Sequence, residues 1–219
     1  MRIIAFTNEG QLSMMKNMLN SALKAGFPMN LFHCYVQSQG DPATYATKEF
    51  QSVTLKKLHI IRQNMLQDKE VLWIDNDIFL FQNVVDDVRS KKGHFVMQDD
   101  LWGPCTGFFL VRTSPNALKI IDTAIEWLRS NTNPSMNDQH AFHHAMKHTI
   151  VFPRPTIVLL SQDEYPNGQI YFDEGRKSKA KIVHSNYLRT TAEKIVRFKE
   201  FGLWDESDTA FCMVNKYEV

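Results

Sequence analysis

The feature that most restricts this chain is a pair of acids set inside an apolar run. Residues 71–74 (VLWI) lead into Asp75-Asn76-Asp77, and residues 78–81 (IFLF) follow directly. Burying an unpaired carboxylate is costly, so something must compensate these two. In an extended strand residues i and i+2 share a face, which predicts two carboxylates side by side and repelling one another. A divalent cation is the natural counter-charge, because hard cations take carboxylate oxygens. At the end of a parallel strand the pair would lie where open α/β sheets bind their ligands. The plainer alternative is a strand-end turn with two solvated aspartates.

The flanking sequence favours such a sheet. Residues 2–7 (RIIAFT) form a short apolar run that ends in Thr7-Asn8-Glu9-Gly10. Leu12, Met15, Leu19, Ala22 and Leu23 follow at helical spacing with Gly26 as a stop, and residues 31–36 are a second apolar run. Strand, helix, strand in so short a span predicts a βαβ unit and a parallel sheet. Residues 41–50 read as loop and 53–66 as helix. Further strands are predicted at 94–98, 108–111, 156–160 and 181–184, and helices at 117–128 and 138–148. The tail after Trp204 has no clear periodicity and reads as a closing segment or the start of a linker. The expectation is one α/β domain over residues 1–204 and a tail over 205–219.

Composition excludes several functions. With 219 residues, 43% hydrophobic and 22% charged, the chain can bury a core without metal or disulfide staples. Its 25 basic and 24 acidic residues leave a net charge of +1, which argues against nucleic acid or a membrane surface as partner. Cys34, Cys105 and Cys212 are too sparse for a disulfide framework and suit a reducing, cytoplasmic setting. No stretch approaches the roughly 18 apolar residues of a transmembrane segment. His140, His144 and His148 share a helix face, but no Glu follows the first, so the H-E-x-x-H zinc pattern is absent.

VLWIDNDIFLFQN resembles the D-x-D segment of GT-A glycosyltransferases. More narrowly, the chain resembles the nucleotide-diphospho-sugar transferases grouped near glycosyltransferase family 77, including small virus-encoded and bacterial members. CTGFFLVR (residues 105–112) resembles their N-S/T-G-F-F-x-x-R, NDQHAF (137–142) their D-Q segment, and EYPNG (164–168) their F-P-x-G. VHSNYL, then Lys194 and GLW (202–204), resembles their late H-x-N…K…G-L-W block. Cys105 stands where the family has Asn, and the stretch from Asn186 to Lys194 lacks the family's Gly.

The resemblance implies a GT-A, Rossmann-like fold: a mixed, mostly parallel sheet flanked by helices. It implies metal-dependent transfer of a sugar from a nucleotide sugar, of UDP type, to a glycan or other hydroxyl acceptor with retention of configuration. Mn²⁺ or Mg²⁺ would be the cofactor, held by Asp75 and Asp77 with His184 as third ligand. Thr7, Asn8 and Glu9 would meet the nucleotide's base and ribose, with Asn76 beside them. Lys57, or Lys56 one position earlier, would face the diphosphate, as would Lys194 in the basic stretch 176–199. Asp138 and Gln139 would face the donor sugar and stabilise its positive charge; Asp138 also suits a helix N-cap. Asp99 and Asp100, ending a strand, could bind sugar or acceptor hydroxyls, with Thr106 and Gly107 nearby, and Asn186 would orient the His184 loop. A virus-encoded member would work in the host cytoplasm. Two other readings compete: a haloacid-dehalogenase-type phosphatase, whose nucleophile also lies in D-x-D but on the first strand, and a non-catalytic sugar-nucleotide-binding module.

Overall fold

Alternate residues of the apolar runs face opposite sides of one sheet. In the computed structural model, which describes residues 1–38, 40, 42 and 44–219, β1 (Arg2–Asn8) turns Ile3 and Ala5 to one core and Ile4 and Phe6 to the other. β3 (Glu70–Ile74) does the same with Leu72 and Ile74 against Val71 and Trp73. Burial on both faces explains why these strands read as continuous apolar runs rather than alternating ones.

Seven strands make the main sheet. With β2 (Phe32–Gln37), β5 (Phe95–Asp99), β6 (Pro104–Arg112), β7 (Ile157–Leu160) and β9 (Asn215–Glu218), the order is β7-β5-β6-β3-β1-β2-β9. β6 runs antiparallel to both its neighbours and every other pairing is parallel, so the sheet is mixed and mostly parallel. The segment after Trp204 ends in β9, an edge strand on β2. A separate two-stranded sheet joins β4 (Ile78–Leu80) to β8 (Ile182–His184). Of the expected loop over 41–50, Asp41 and Ala43 lie outside the described residues, and a helix has begun by Lys48.

Helices cover both faces. α1 (Leu12–Lys24) buries Met15, Met18, Leu19 and Ala22 on one. α2 (Lys48–Met65), α4 (Pro115–Ser130) and α5 (Asp138–His148) cover the other. Fully burying one such apolar side chain contributes about 1.5–3 kcal/mol. Three starts are set by side-chain caps: Thr47 accepts from the Phe50 amide, Ser114 from Ala117 and Asn137 from His140. The short α3 (Val85–Ser90) follows β4, and α6 (Thr191–Glu200) opens with a reciprocal Thr190/Glu193 capping box. Among the described residues no helix is long and apolar enough to cross a membrane.

Candidate active site

A cavity of about 370 Å³ opens where β1 and β3 end and β6 begins. Its floor is the turn between β3 and β4, and the backbone holds that turn from two sides. The Asp75 amide donates to the Gly107 carbonyl at 2.8 Å, and the Ser185 amide donates to the Asp77 carbonyl at 2.9 Å. Asp75 and Asp77 therefore lie in a turn, not on one strand face. β3 ends at Ile74, and β4 leaves for the other sheet at Ile78.

The two carboxylates still converge. Asp75, Asp77 and His184 each bring one ligand atom within 4.8 Å of the others. His184 Nε2 is 3.1 Å from Asp77 Oδ1 and 4.0 Å from Asp75 Oδ2. Gly107 makes this possible. A Cβ there would overlap His184 Cε1 and come within 2.9 Å of Asp75 Oδ2. Gly168 supports the same loop, since a Cβ would press to 2.5 Å from Tyr187 Cδ1 and 3.0 Å from the His184 carbonyl.

The expected repulsion between the acids is offset because each has its own cation. Lys57 Nζ is 2.9 Å from Asp75 Oδ1 and 2.9 Å from Asp138 Oδ2, and 4.9 Å from the centre of the Trp73 ring. Trp73 Nε1 also donates to Asp75 Oδ1, at 2.6 Å. Lys194 Nζ is 2.6 Å from Asp77 Oδ2. The lysines thus occupy one oxygen of each acid, and the remaining Asp75 Oδ2 and Asp77 Oδ1 face His184 Nε2. Two carboxylate oxygens and an imidazole nitrogen suit Mn²⁺ or Mg²⁺, so the residues present fit the implied cofactor.

Burial and these partners push the two carboxyl groups apart. Burial raises Asp75 above the usual carboxylate range, and the neighbouring Asp77 adds to this against the pull of Lys57. Burial opposes ionisation of Asp77 too, but Lys194 and His184 hold it well below that range. Burial works against charge on Lys57, yet Asp138 and Asp75 keep it above its ordinary value. Burial likewise disfavours charge on His184, and Asp77 more than offsets it. Such divergence of neighbouring acids is typical of functional sites.

A second network lies beside the acids. Asp100 accepts from Gln139 Nε2 at 3.0 Å and from Asn186 Nδ2 at 2.5 Å. Thr106 Oγ1 donates to Asp138 Oδ2 at 2.6 Å. Asn76 spends Nδ2 on the Phe6 carbonyl, while its Oδ1 is buried without a partner among the described residues. Lys57, Asp75, Asn76, Asp77, Asp100, Thr106, Gly107, Asp138, Gln139, His184 and Lys194 thus come together around one cavity.

Other expected residues do not join them. Thr7 is buried and gives its hydroxyl to the Asn8 carbonyl. Asn8 lies in the wall of a neighbouring hollow with Gln37 and Lys48, and Glu9 points to solvent. Asp99 accepts from the Leu101 amide instead of facing the cavity. Asp138 is not the N-cap of α5; Asn137 is, and Asp138 takes the first helical position. Lys56 reaches Gln37 instead of the acids, and of the two lysines it is Lys57 that lies at the acid pair. Among the described residues the α5 histidines gather no ligand set: His144 stacks on Trp127, and His140 bonds Asn137.

Three partners escaped the sequence reading. Trp73 stands two residues before Asp75, a spacing that puts both on one side of the extended chain. Cys105 Sγ lies 3.7 Å from His184 Nδ1. Gln98 is fully buried and contacts the same nitrogen at 2.8 Å. A glutamine directly after the apolar run Phe95-Val96-Met97 was its signal.

Residues 13–198 match the nucleotide-diphospho-sugar transferase family, and the chain belongs to that family. Over 197 residues it is 25% identical to a UDP-galactose:fucoside alpha-3-galactosyltransferase of Dictyostelium discoideum, covering 75% of this chain and 30% of that protein. A UDP-D-xylose:L-fucose alpha-1,3-D-xylosyltransferase of Arabidopsis thaliana is 38% identical over 79 residues, 34% of this chain and 21% of that one. The chain therefore spans about a third or less of these relatives. Among solved structures, a glycosyltransferase involved in glycosylation of the major capsid of PBCV-1 superposes with a TM-score of 0.57 at 16% identity, over 89% of this chain and 97% of that one. The galactosyltransferase LgtC, solved with donor and acceptor sugar analogs, gives 0.62 at 9% identity, over 93% and 95%. The fold is that of the GT-A glycosyltransferases.

Proposed function

We propose that this chain is a metal-dependent, retaining glycosyltransferase that draws on a UDP-sugar. The observation that carries the reading is the convergence of Asp75 Oδ2, Asp77 Oδ1 and His184 Nε2 between two lysines at the cavity floor. A nucleotide sugar leaves its negative charge on the diphosphate, and that charge must be stabilised as the bond breaks. A divalent cation held by the three ligands supplies Lewis-acid stabilisation there.

The chain's own groups do the rest. Lys194 sits at the cavity edge, where it can pass from Asp77 to a phosphate oxygen. Lys57 holds Asp75 and Asp138 in place. Asn76 lines the cavity floor between the two acids, pinned to the Phe6 carbonyl. Gln139, oriented by Asp100, presents a neutral amide to the donor sugar. Retention is supported by the state of the acids. An inverting enzyme needs a base free to take the acceptor's proton. Here Asp75, Asp77, Asp100 and Asp138, the acids of the cavity wall, are each engaged by a lysine, an amide or a hydroxyl, and His140 has its Nδ1 on Asn137 Oδ1. The phosphatase alternative needs a free nucleophile on the first strand, and Asp75 follows the third strand in chain order and is already held by Lys57 and Trp73.

The relatives' donors and acceptors give the first substrates to try: UDP-galactose and UDP-xylose with a fucoside. UDP release should require Mn²⁺ and disappear in EDTA, and proton NMR of fresh product should show the donor's anomeric configuration kept. A folded chain that binds these donors and releases no UDP from any of them would make it a binding module. An inverted product would refute retention while leaving transfer standing.

A further inference from the structure

We propose that Gln98 is a positioning residue that keeps a proton on His184 Nδ1, so that Nε2 is the nitrogen the divalent cation takes when it binds. This rests on the metal reading above and adds the group that prepares the ligand.

Two backbone carbonyls set the orientation of the Gln98 amide. Gln98 Nε2 donates to two backbone carbonyls, Tyr165 at 3.0 Å and Pro166 at 2.9 Å. Carbonyl oxygens only accept, so a flipped amide would lose both bonds and set oxygen against oxygen. With the residue fully buried, no water replaces those bonds. Oε1 is therefore committed to the other side, where it meets His184 Nδ1 at 2.8 Å. An amide oxygen accepts and cannot donate, so the hydrogen in that contact belongs to Nδ1.

The strand pairing puts Gln98 there. The register of β5 on β6 slips after Met97: Met97 pairs with Phe109, but Gln98 pairs with Cys105. The extra residues on β6 include Thr106 and Gly107, so one bulge both opens the space for the imidazole and sets its partner opposite. Cys105 Sγ touches the same nitrogen at 3.7 Å, but a thiol can donate or accept and does not choose a tautomer. Outer partners of this type commonly set the tautomer of a metal-bound histidine, and losing one typically weakens metal binding about 10–100-fold.

The test uses wild-type protein labelled with ¹⁵N-histidine and loaded with diamagnetic Mg²⁺. The His184 signals should show Nδ1 protonated and Nε2 unprotonated. In Gln98→Met, which keeps the bulk and removes the oxygen, calorimetry should give Mn²⁺ affinity about 10–100-fold weaker, with the Nδ1–H signature lost. Cys105→Ala should leave that signature in place. Bound metal with a bare Nδ1 in the wild type overturns the assignment even if the variant fails to fold, as does unchanged affinity in a folded Gln98→Met. A wild-type protein that binds no divalent cation overturns the metal reading itself, a result distinct from either.

Discussion

Both walls of the cavity set a lysine against an aspartate, and the two pairs are built differently. On the inner wall Lys57 comes from α2, which packs on the large sheet; its side chain is 7% exposed and shared by two acids. On the outer wall Lys194 comes from α6, where only Phe198 is buried, and its side chain is 21% exposed against a single acid. The inner lysine has nowhere to go without stranding Asp75 and Asp138. The outer one can trade Asp77 for an incoming anion. Under the proposed function, the contrast separates a counter-charge that belongs to the fold from one that would belong to the reaction.

The sharpest way to break this contrast is to remove each lysine. Lys57→Met should cost about 3–5 kcal/mol in unfolding free energy, the usual penalty for stranding buried charge, measured by urea denaturation. A cost below 1 kcal/mol would put the inner pair in the same class as the outer one. Next in size is Asp138→Asn, which keeps the Thr106 contact and weakens the Lys57 one. With the best donor it should lower the maximal rate by about 10²-fold and change UDP affinity little, the mark of a group acting in the transition state.

Lys194→Met should change two affinities in opposite directions, each by about tenfold or 1.4 kcal/mol. Without nucleotide, Mn²⁺ should bind more tightly because Asp77 loses its competitor. UDP should bind more weakly because the diphosphate loses a cation. Both falling together would mean that Lys194 is structural after all. The smallest effect lies outside the cavity, where Asp87 of α3 holds Tyr165 and Lys181. Burial pushes the Asp87 carboxyl up, but Lys181, Tyr165 and Lys91 bring it down to about 2. This folded value is below the unfolded reference of roughly 3.9, so the contribution is present above that pH and is lost as pH falls through about 2. Asp87→Asn should cost about 1 kcal/mol at neutral pH and give a shallower loss of stability below pH 4, by urea unfolding at pH 7 and pH 3.

The sequence carried much of this, unevenly. Strands such as Glu70–Ile74 and the helix Asp138–His148 were legible because burial on both sheet faces, or on one helix face, leaves dense apolar spacing. α6 escaped because Phe198 is its only buried residue, although the Thr190/Glu193 box marked its start. β9 escaped because all four of its residues are exposed, so no alternation is written there. The acid pair was legible as a site, but the turn that carries it was not. β4 changes sheets at Ile78, and that is a matter of long-range pairing with β8. Thr7, Glu9 and Asp99 were expected from their place at strand ends, and the orientation of a strand-end side chain depends on backbone twist that spacing does not record. Gln98 shows the reverse: its identity was visible, and its purpose needed the carbonyls of Tyr165 and Pro166, far along the chain, to be brought beside it.

Under the proposed function the nucleotide would be held through a cation on Asp75, Asp77 and His184. Titration calorimetry of UDP into the wild-type chain tests it most directly, once with Mn²⁺ and once with EDTA. UDP should bind at least about tenfold more tightly with Mn²⁺, and the difference should vanish in Asp77→Asn. Equal UDP affinity in EDTA and in Mn²⁺ would contradict it.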